Sequence, residues 1–383
     1  MCGNKLIKPL EGKIMKVLHI NSYCSDSKFY KNLFVKQQMN GISNTAYIPV
    51  NCSTDTETMD FGENSVISKT FSKFDRLTFF RKHKKILKDI QEKIDVSEYD
   101  LMHSHSLFSN GYIAYMLYKK YGIPYVTAVR STDINFFFKY FVFLRKMGVE
   151  ILKNARKVVF ISPSYKENGL VPYVKDYHNS EIFKKSIVIP NGVDDFWIDN
   201  LYLDKCDKSE TGEIRVLCVA RISKRKNIPA LVEACKKITD KGYRVKLTVI
   251  GKIEDNTELE KILKCDFVEY VSPCNKEMLI KYYRENDIFA LLSHSETFGL
   301  VYLEAMSQGL PVIYTRGQGF DGQLPEDMVG YASSDRNIAE ISEKILMAYK
   351  NREKLSKNCV ANVQEFNWDN IVKKYCEIYN EII

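Results

Sequence analysis

Short apolar runs alternate with segments of helical periodicity from one end of the chain to the other, a pattern that predicts parallel α/β architecture. In the first half the runs predict strands at Lys16–Ile20, Thr45–Val50, Asp100–Met102, Tyr125–Val129, Lys157–Ile161 and Ser186–Ile189. Helical stretches fall at Phe29–Met39, Ser109–Lys120 and Phe138–Asn154. A second series of strands follows at Ile214–Val219, Val245–Ile250, Phe267–Tyr270, Ile288–Leu292 and Val312–Tyr314. Between the two series lie Pro190-Asn191-Gly192 and a polar stretch through Gly212, a turn signal joined to a linker composition. The segment after Trp368 is amphipathic and helical. The expectation is two open, doubly wound sheets of similar size, with domains at 1–190 and 191–365 and a terminal helix at 366–383.

Length agrees with two cores, since 383 residues exceed what one ordinary core organises. With 45% hydrophobic and 27% charged residues the chain reads as globular, not disordered. The ten cysteines form no CxxC pair, so they read as reduced thiols of a cytoplasmic protein. Cys2 has only the position of a lipoprotein cysteine, and Met15 offers a second possible start just before the first strand. No uninterrupted apolar run approaches the ~20 residues needed to span a bilayer; the nearest, Phe136 to Leu144, is broken by Lys139.

The net charge of +8 is unevenly placed. Between Val66 and Ile90, eight Lys/Arg face two Asp/Glu, with Phe71, Phe74, Leu77, Phe79 and Phe80 interleaved. Such a segment either lies on an anionic membrane surface or is a solvated loop and helix face. No nucleic-acid-binding motif accompanies the charge.

In doubly wound sheets, ligands bind outside the carboxyl ends of the strands. Polar residues stand at those ends here: His103 and His105 after one strand, then Arg130, Arg221, Gly251 and Glu296 after others. Two domains facing each other would gather them around one cleft. The densest signal is Ser295-Glu296-Thr297-Phe298-Gly299-Leu300-Val301-Tyr302-Leu303-Glu304-Ala305-Met306. Glu296 falls in a strand-to-helix loop and Glu304 eight positions on, inside the helix among apolar neighbours. A partly buried carboxylate needs strong partners, and a vicinal diol supplies two hydroxyl donors. The helix start at Thr297–Leu300 offers free amides to an anion. On spacing alone, a capped amphipathic helix with two surface glutamates explains the same residues.

The stretch Glu296-x7-Glu304, with Phe298-Gly299-Leu300 and Glu304-Ala305-Met306 inside it, resembles the signature of the retaining GT-B glycosyltransferases of family 4. Val219-Ala220-Arg221-Ile222 with Lys226 resembles that family's paired Arg and Lys, and Asp100-Leu101-Met102-His103-Ser104-His105 its D-x-x-H-x-H stretch. Ile189-Pro190-Asn191-Gly192-Val193-Asp194, Ile161-Ser162-Pro163-Ser164 and Trp368 fit as well. The resemblance implies two Rossmann-like domains around a central cleft, with the C-terminal helix crossing back to the N-terminal domain.

It also implies roles. Arg221 and Lys226 would hold the donor diphosphate, which gains negative charge as the glycosidic bond breaks. Glu304 would bind the ribose hydroxyls; Glu296 and the amides of Thr297, Phe298, Gly299 and Leu300 would fix the sugar, with Gly251 near the base. His105 would reach the transferred sugar or acceptor, with His103 as the alternative on the same strand face. Arg130 would meet a phosphate-bearing acceptor, or else pair with Asp133. The reaction implied is retaining transfer from a UDP- or GDP-sugar to a lipid-linked or surface-polysaccharide glycan, at the inner face of the membrane.

Two departures from the family stand out. The first strand-to-helix loop, Asn21–Ser27, has no glycine, and Gly251-Lys252-Ile253-Glu254 replaces a glycine-rich turn. Thr315–Gly322 is glycine-rich and reads as a close approach of backbone to ligand. No metal and no other cofactor is expected, because no DxD pair stands at a strand end to hold a divalent ion on a diphosphate. The rival readings are a non-catalytic or regulatory sugar-nucleotide-binding protein and another nucleotide-sugar enzyme on this fold.

Overall fold

A computed structural model describes residues 14–23, 27–202 and 212–383. Cys2, the loop residues 24–26 and the linker residues 203–211 lie outside the described residues. The chain forms two compact units. The first takes the described residues up to Ile161, then Lys166–Ile189 and Trp368–Ile383; the second takes Ser162–Tyr165 and Pro190–Asn367.

The first unit is built on a seven-stranded sheet: β1 (Lys16–Ile20), β2 (Ser43–Asn51), β3 (Ser65–Phe71), β4 (Leu101–Ser104), β5 (Tyr125–Val129), β6 (Lys157–Phe160) and β7 (Ser186–Val188). Its order is β3-β2-β1-β4-β5-β6-β7, every pair parallel. The order reverses between β1 and β4, the place where such a sheet opens a ligand crevice. Strand β3 was not expected. Ser-Val-Ile-Ser-Lys-Thr-Phe alternates too weakly to stand out, and its position at the sheet edge explains why Lys69 is tolerated.

The terminal helix Trp368–Asn380 belongs to this unit. Trp368, Ile371, Val372, Tyr375, Cys376 and Tyr379 recur at helical spacing and pack in one cluster with Val17, Leu33, Ile48 and Leu101.

One helix reading changes. The expected helix Phe138–Asn154 is instead a π-helical turn at Asp133–Phe138, a short 3-10 turn at Val142–Leu144 and a regular helix only at Arg145–Asn154. Asp133 fixes the start: its carboxylate accepts the amides of Leu107, Phe108 and Arg130. Arg145 takes the carbonyls released at the break, donating to Phe138 at 2.7 Å and Lys139 at 3.1 Å.

The second unit carries β8 (Glu213–Val219), β9 (Arg244–Ile250), β10 (Val268–Val271), β11 (Ile288–Leu291), β12 (Val312–Thr315) and β13 (Gly330–Ser333). The order is β10-β9-β8-β11-β12-β13, again parallel, with its reversal between β8 and β11. Strand β13, four residues at the edge, is the one the apolar pattern did not predict.

Candidate functional site

The Glu296 loop joins β11 to the helix Leu300–Ser307 and is held from three sides. Gly299 turns the chain at φ +82°, where an added Cβ would lie 2.4 Å from the Tyr302 ring, so only glycine fits. Tyr302 then anchors the helix by donating to the Leu291 carbonyl at 2.7 Å. From the glycine-rich segment, Gln318 Oε1 accepts the Glu296 amide at 2.9 Å, and Gly319 donates to the Glu296 carbonyl at 3.1 Å. A Cβ on Gly319 would meet the Thr297 carbonyl oxygen at 2.1 Å. At Gly319 the close approach of this segment is to the backbone of the Glu296 loop. Tyr165 completes the clamp, donating to the same Glu296 carbonyl at 2.8 Å.

The third side is the turn after β8. Lys224–Lys226 form one 3-10 turn ended by Asn227 in the left-handed region (φ +52°), whose amide side chain donates to the carbonyls of Leu292 and Asp335. Arg225 exchanges backbone and side-chain bonds with His294 and Ser295. This brings the Lys226 ammonium to 2.6 Å from Glu296 Oε2, with the two side chains 11% and 9% exposed. Ser293 Oγ (3.2 Å) and the Thr297 amide (3.1 Å) supply further donors to the carboxylate. The reading of Glu296 as a surface glutamate is thereby excluded. A buried ion pair so hydrogen-bonded is a fixed part of the site.

Arg221 differs. It is exposed and pairs with Glu254 at 3.0 Å, so an incoming anion must compete with that carboxylate. Gly251 follows β9, where a Cβ would sit 1.9 Å from the Ala220 carbonyl oxygen; it lets the ends of β8 and β9 close on each other. Phe298 is buried, while Thr297 is exposed beside it. Glu304 is half-buried on this helix; desolvation pushes its carboxyl up to about 7 against the opposing hydrogen bond from Tyr283, 3.1 Å away. Ser293, Gln318, Tyr165 and Tyr283 escaped the sequence reading. Only Gln318, inside the glycine-rich segment, carried any signal there.

At the reversal point of the first unit, His103 and His105 are both fully buried on one sheet face, together with His19 of β1. His19 is the direct register partner of His103, and no sequence pattern marked it. Their rings pack 4.2–5.4 Å apart, and burial holds all three imidazoles neutral, His19 down to about 3. His103 turns its Nδ1 to the Tyr379 hydroxyl at 2.5 Å. His105 packs against the Tyr30 and Phe34 rings. Arg130 donates through Nε to the His105 carbonyl at 3.0 Å. The Asp133 carboxylate is taken up by the backbone amides described above.

Residues 204–366 match the family described as Glycosyl transferases group 1, and residues 53–195 that described as Glycosyltransferase Family 4. A probable sucrose-phosphate synthase of Thermosipho melanesiensis is 31% identical over 207 residues, 52% of this chain and 48% of that protein; the match thus spans about half of the relative's length. Among solved structures, the sucrose-phosphate synthase of Thermosynechococcus elongatus superposes with a TM-score of 0.73 at 18% identity, over 96% of this chain and 99% of that one. Anabaena Alr3699/HepE, solved with UDP, gives a TM-score of 0.69 at 15% identity over 96% and 100%. These likenesses show a shared fold. The two family matches, which together take in most of the chain, and that fold support a glycosyltransferase of the GT-B, group 1 family.

Proposed function

We propose that the protein is a retaining glycosyltransferase that uses a nucleoside-diphosphate sugar held by its second unit. The observation that carries this reading is the Lys226–Glu296 pair, set beside the amide-bearing start of the helix Leu300–Ser307. An ammonium has three donors, and one goes to Glu296. The others suit the oxygens of a diphosphate, the helix start adds its positive end, and Arg221 moves from Glu254 to the anion. Glu304 takes the ribose diol. The carbon–oxygen bond to the diphosphate breaks, its electron pair leaves with the phosphate, and Lys226 stabilises that charge. The acceptor hydroxyl attacks from the same face and gives its proton to the departing phosphate oxygen. HepE, the fold neighbour solved with UDP, supports the donor class. NMR of the purified product should show the transferred sugar in the anomeric configuration it had in the donor; the opposite configuration refutes retention. No divalent ion is assigned to the diphosphate, so the rate should not depend on added magnesium.

The acceptor we place on a membrane surface. The basic segment folds as β3, a 3-10 turn at Phe74–Leu77 and the helix Phe79–Lys93, whose Ile86 and Ile90 face inward. Asp75 is buried and pairs with Arg81 and Lys85, which neutralises part of the charge; Lys84 and Lys88 remain exposed. Ring contacts run from Phe80 through Phe79 and Phe137 to Phe136, Phe141 and Phe143. Of these, Phe80, Phe136 and Phe143 are exposed, as are Tyr140 and Val142. No helix of the described residues is long and apolar enough to cross a membrane. Exposed aromatics beside lysines instead suit the headgroup layer, where each basic residue adds ~1 kcal/mol of salt-screened attraction. The expected result is cosedimentation with phosphatidylglycerol-containing liposomes that weakens steeply with salt and is lost on combining Lys84→Glu, Lys88→Glu and Phe143→Ser. Equal partitioning onto neutral and anionic liposomes, or none, contradicts it.

A further inference from the structure

We propose that His19, His103 and His105 form a buried site for a divalent transition metal of the class of zinc, at the carboxyl ends of β1 and β4. Each imidazole offers one ring nitrogen, and the three lie within 4.8 Å of one another. Nε2 of His19, Nε2 of His103 and Nδ1 of His105 are buried with no hydrogen-bond partner. His19 Nδ1 and His105 Nε2 face each other at 3.1 Å, a contact that a metal ion would replace, and each unsatisfied buried nitrogen, His103 Nε2 among them, costs the fold unless something binds it. The placement is built by the sheet: His19 and His103 are register partners on adjacent parallel strands, and the His105 amide continues the ladder by donating to the Ile20 carbonyl at 3.1 Å.

The chemistry of the donor set fits. Neutral imidazole is the form that binds metal, and burial already keeps these rings neutral. Ligating histidines commonly donate their second nitrogen to an oxygen that fixes the tautomer. Tyr379 Oη lies where it can accept His103 Nδ1–H at 2.5 Å while also accepting from Gln37 at 3.3 Å, which leaves the lone pair on His103 Nε2. With Zn–N bonds of ~2.0–2.1 Å, tetrahedral ligand nitrogens stand about 3.4 Å apart. Closing the cluster therefore asks for shifts of order 1 Å, within reach of the soft χ2 torsion of histidine. Arg130, held by the His105 carbonyl, adds positive charge nearby. That charge costs cation affinity and favours hydroxide or another anion as the fourth ligand. The site differs in place and in ligand type from a carboxylate-held ion on a diphosphate, which the sequence gives no reason to expect.

The test uses untagged full-length protein, stripped of metal and titrated with Co²⁺, with elemental analysis of protein purified without chelator. About one metal per chain and the intense visible bands of four-coordinate Co²⁺ are expected. His19→Gln should abolish this binding. Tyr379→Phe should retain the spectrum with affinity lowered ~10–100-fold, as for other oriented ligands. If His19→Gln does not fold, the wild-type spectrum and the Tyr379→Phe shift still decide. Substoichiometric binding with the weak bands of six-coordinate Co²⁺, or unchanged binding in both variants, overturns the proposal and assigns any bound ion to the exposed His178 and His294.

Discussion

Replacing Lys226 by methionine is expected to lower donor turnover by about 10²–10³-fold, the range for removing one preorganised stabiliser of developing charge. The substitution keeps the aliphatic stem and removes the cation. It also leaves the Glu296 carboxylate buried without its partner at 2.6 Å, and breaking a buried pair by removing one side costs about 3–5 kcal/mol of stability. The two effects separate in a double variant. Lys226→Met with Glu296→Gln should recover most of the lost melting temperature, because the stranded charge is gone, while turnover stays low. Recovery of both properties would mean that Lys226 serves only to neutralise Glu296 and does not touch the donor.

Glu304 gives the site an expected pH dependence. Desolvation raises its carboxyl from 4.5 to about 7, and only the ionised form can accept both hydroxyls of a ribose. If affinity scales with the ionised fraction, nucleoside diphosphate should bind about tenfold tighter at roughly pH 8 than at roughly pH 6, with a proton released on binding near neutrality. The free protein should behave oppositely. A carboxyl whose folded pKa is raised contributes stability at low pH that is lost as pH climbs from 4.5 toward 7. Glu304→Gln should flatten both trends and weaken nucleotide binding at pH 8. Calorimetric titration across this range checks the first, and thermal melts without ligand the second. A flat wild-type affinity would remove Glu304 from the ribose.

The strands lining both reversal points were legible because a buried parallel strand is a run of apolar residues bounded by turns, as in Lys16–Ile20 or Ile288–Leu291. Two of the four edge strands were not. β3 mixes Ser, Lys and Thr with its apolar residues, and β13 is only Gly-Tyr-Ala-Ser. Within the site, local spacing marked Glu296 and Glu304. It could not show that Lys226, seventy positions away, closes on Glu296, because that pair depends on β8 lying beside β11, nor that Tyr283, on the helix before β11, meets Glu304 on the helix after it. His19 was invisible for the same reason. Inside Lys-Val-Leu-His-Ile it reads as an ordinary core position, and only its register with β4 places it against His103. The strand-end position that marked His105 gave no hint of its packing against Tyr30 and Phe34 or of its carbonyl holding Arg130.

The central claim, that the second unit binds and activates a sugar nucleotide, is tested most directly by incubating the protein with a panel of UDP- and GDP-sugars and measuring release of nucleoside diphosphate. Slow release from one donor, carried by the wild type and lost in the Lys226→Met, Glu296→Gln double variant, is the expected result. No release from any donor, with no nucleoside diphosphate raising the melting temperature, would contradict the account.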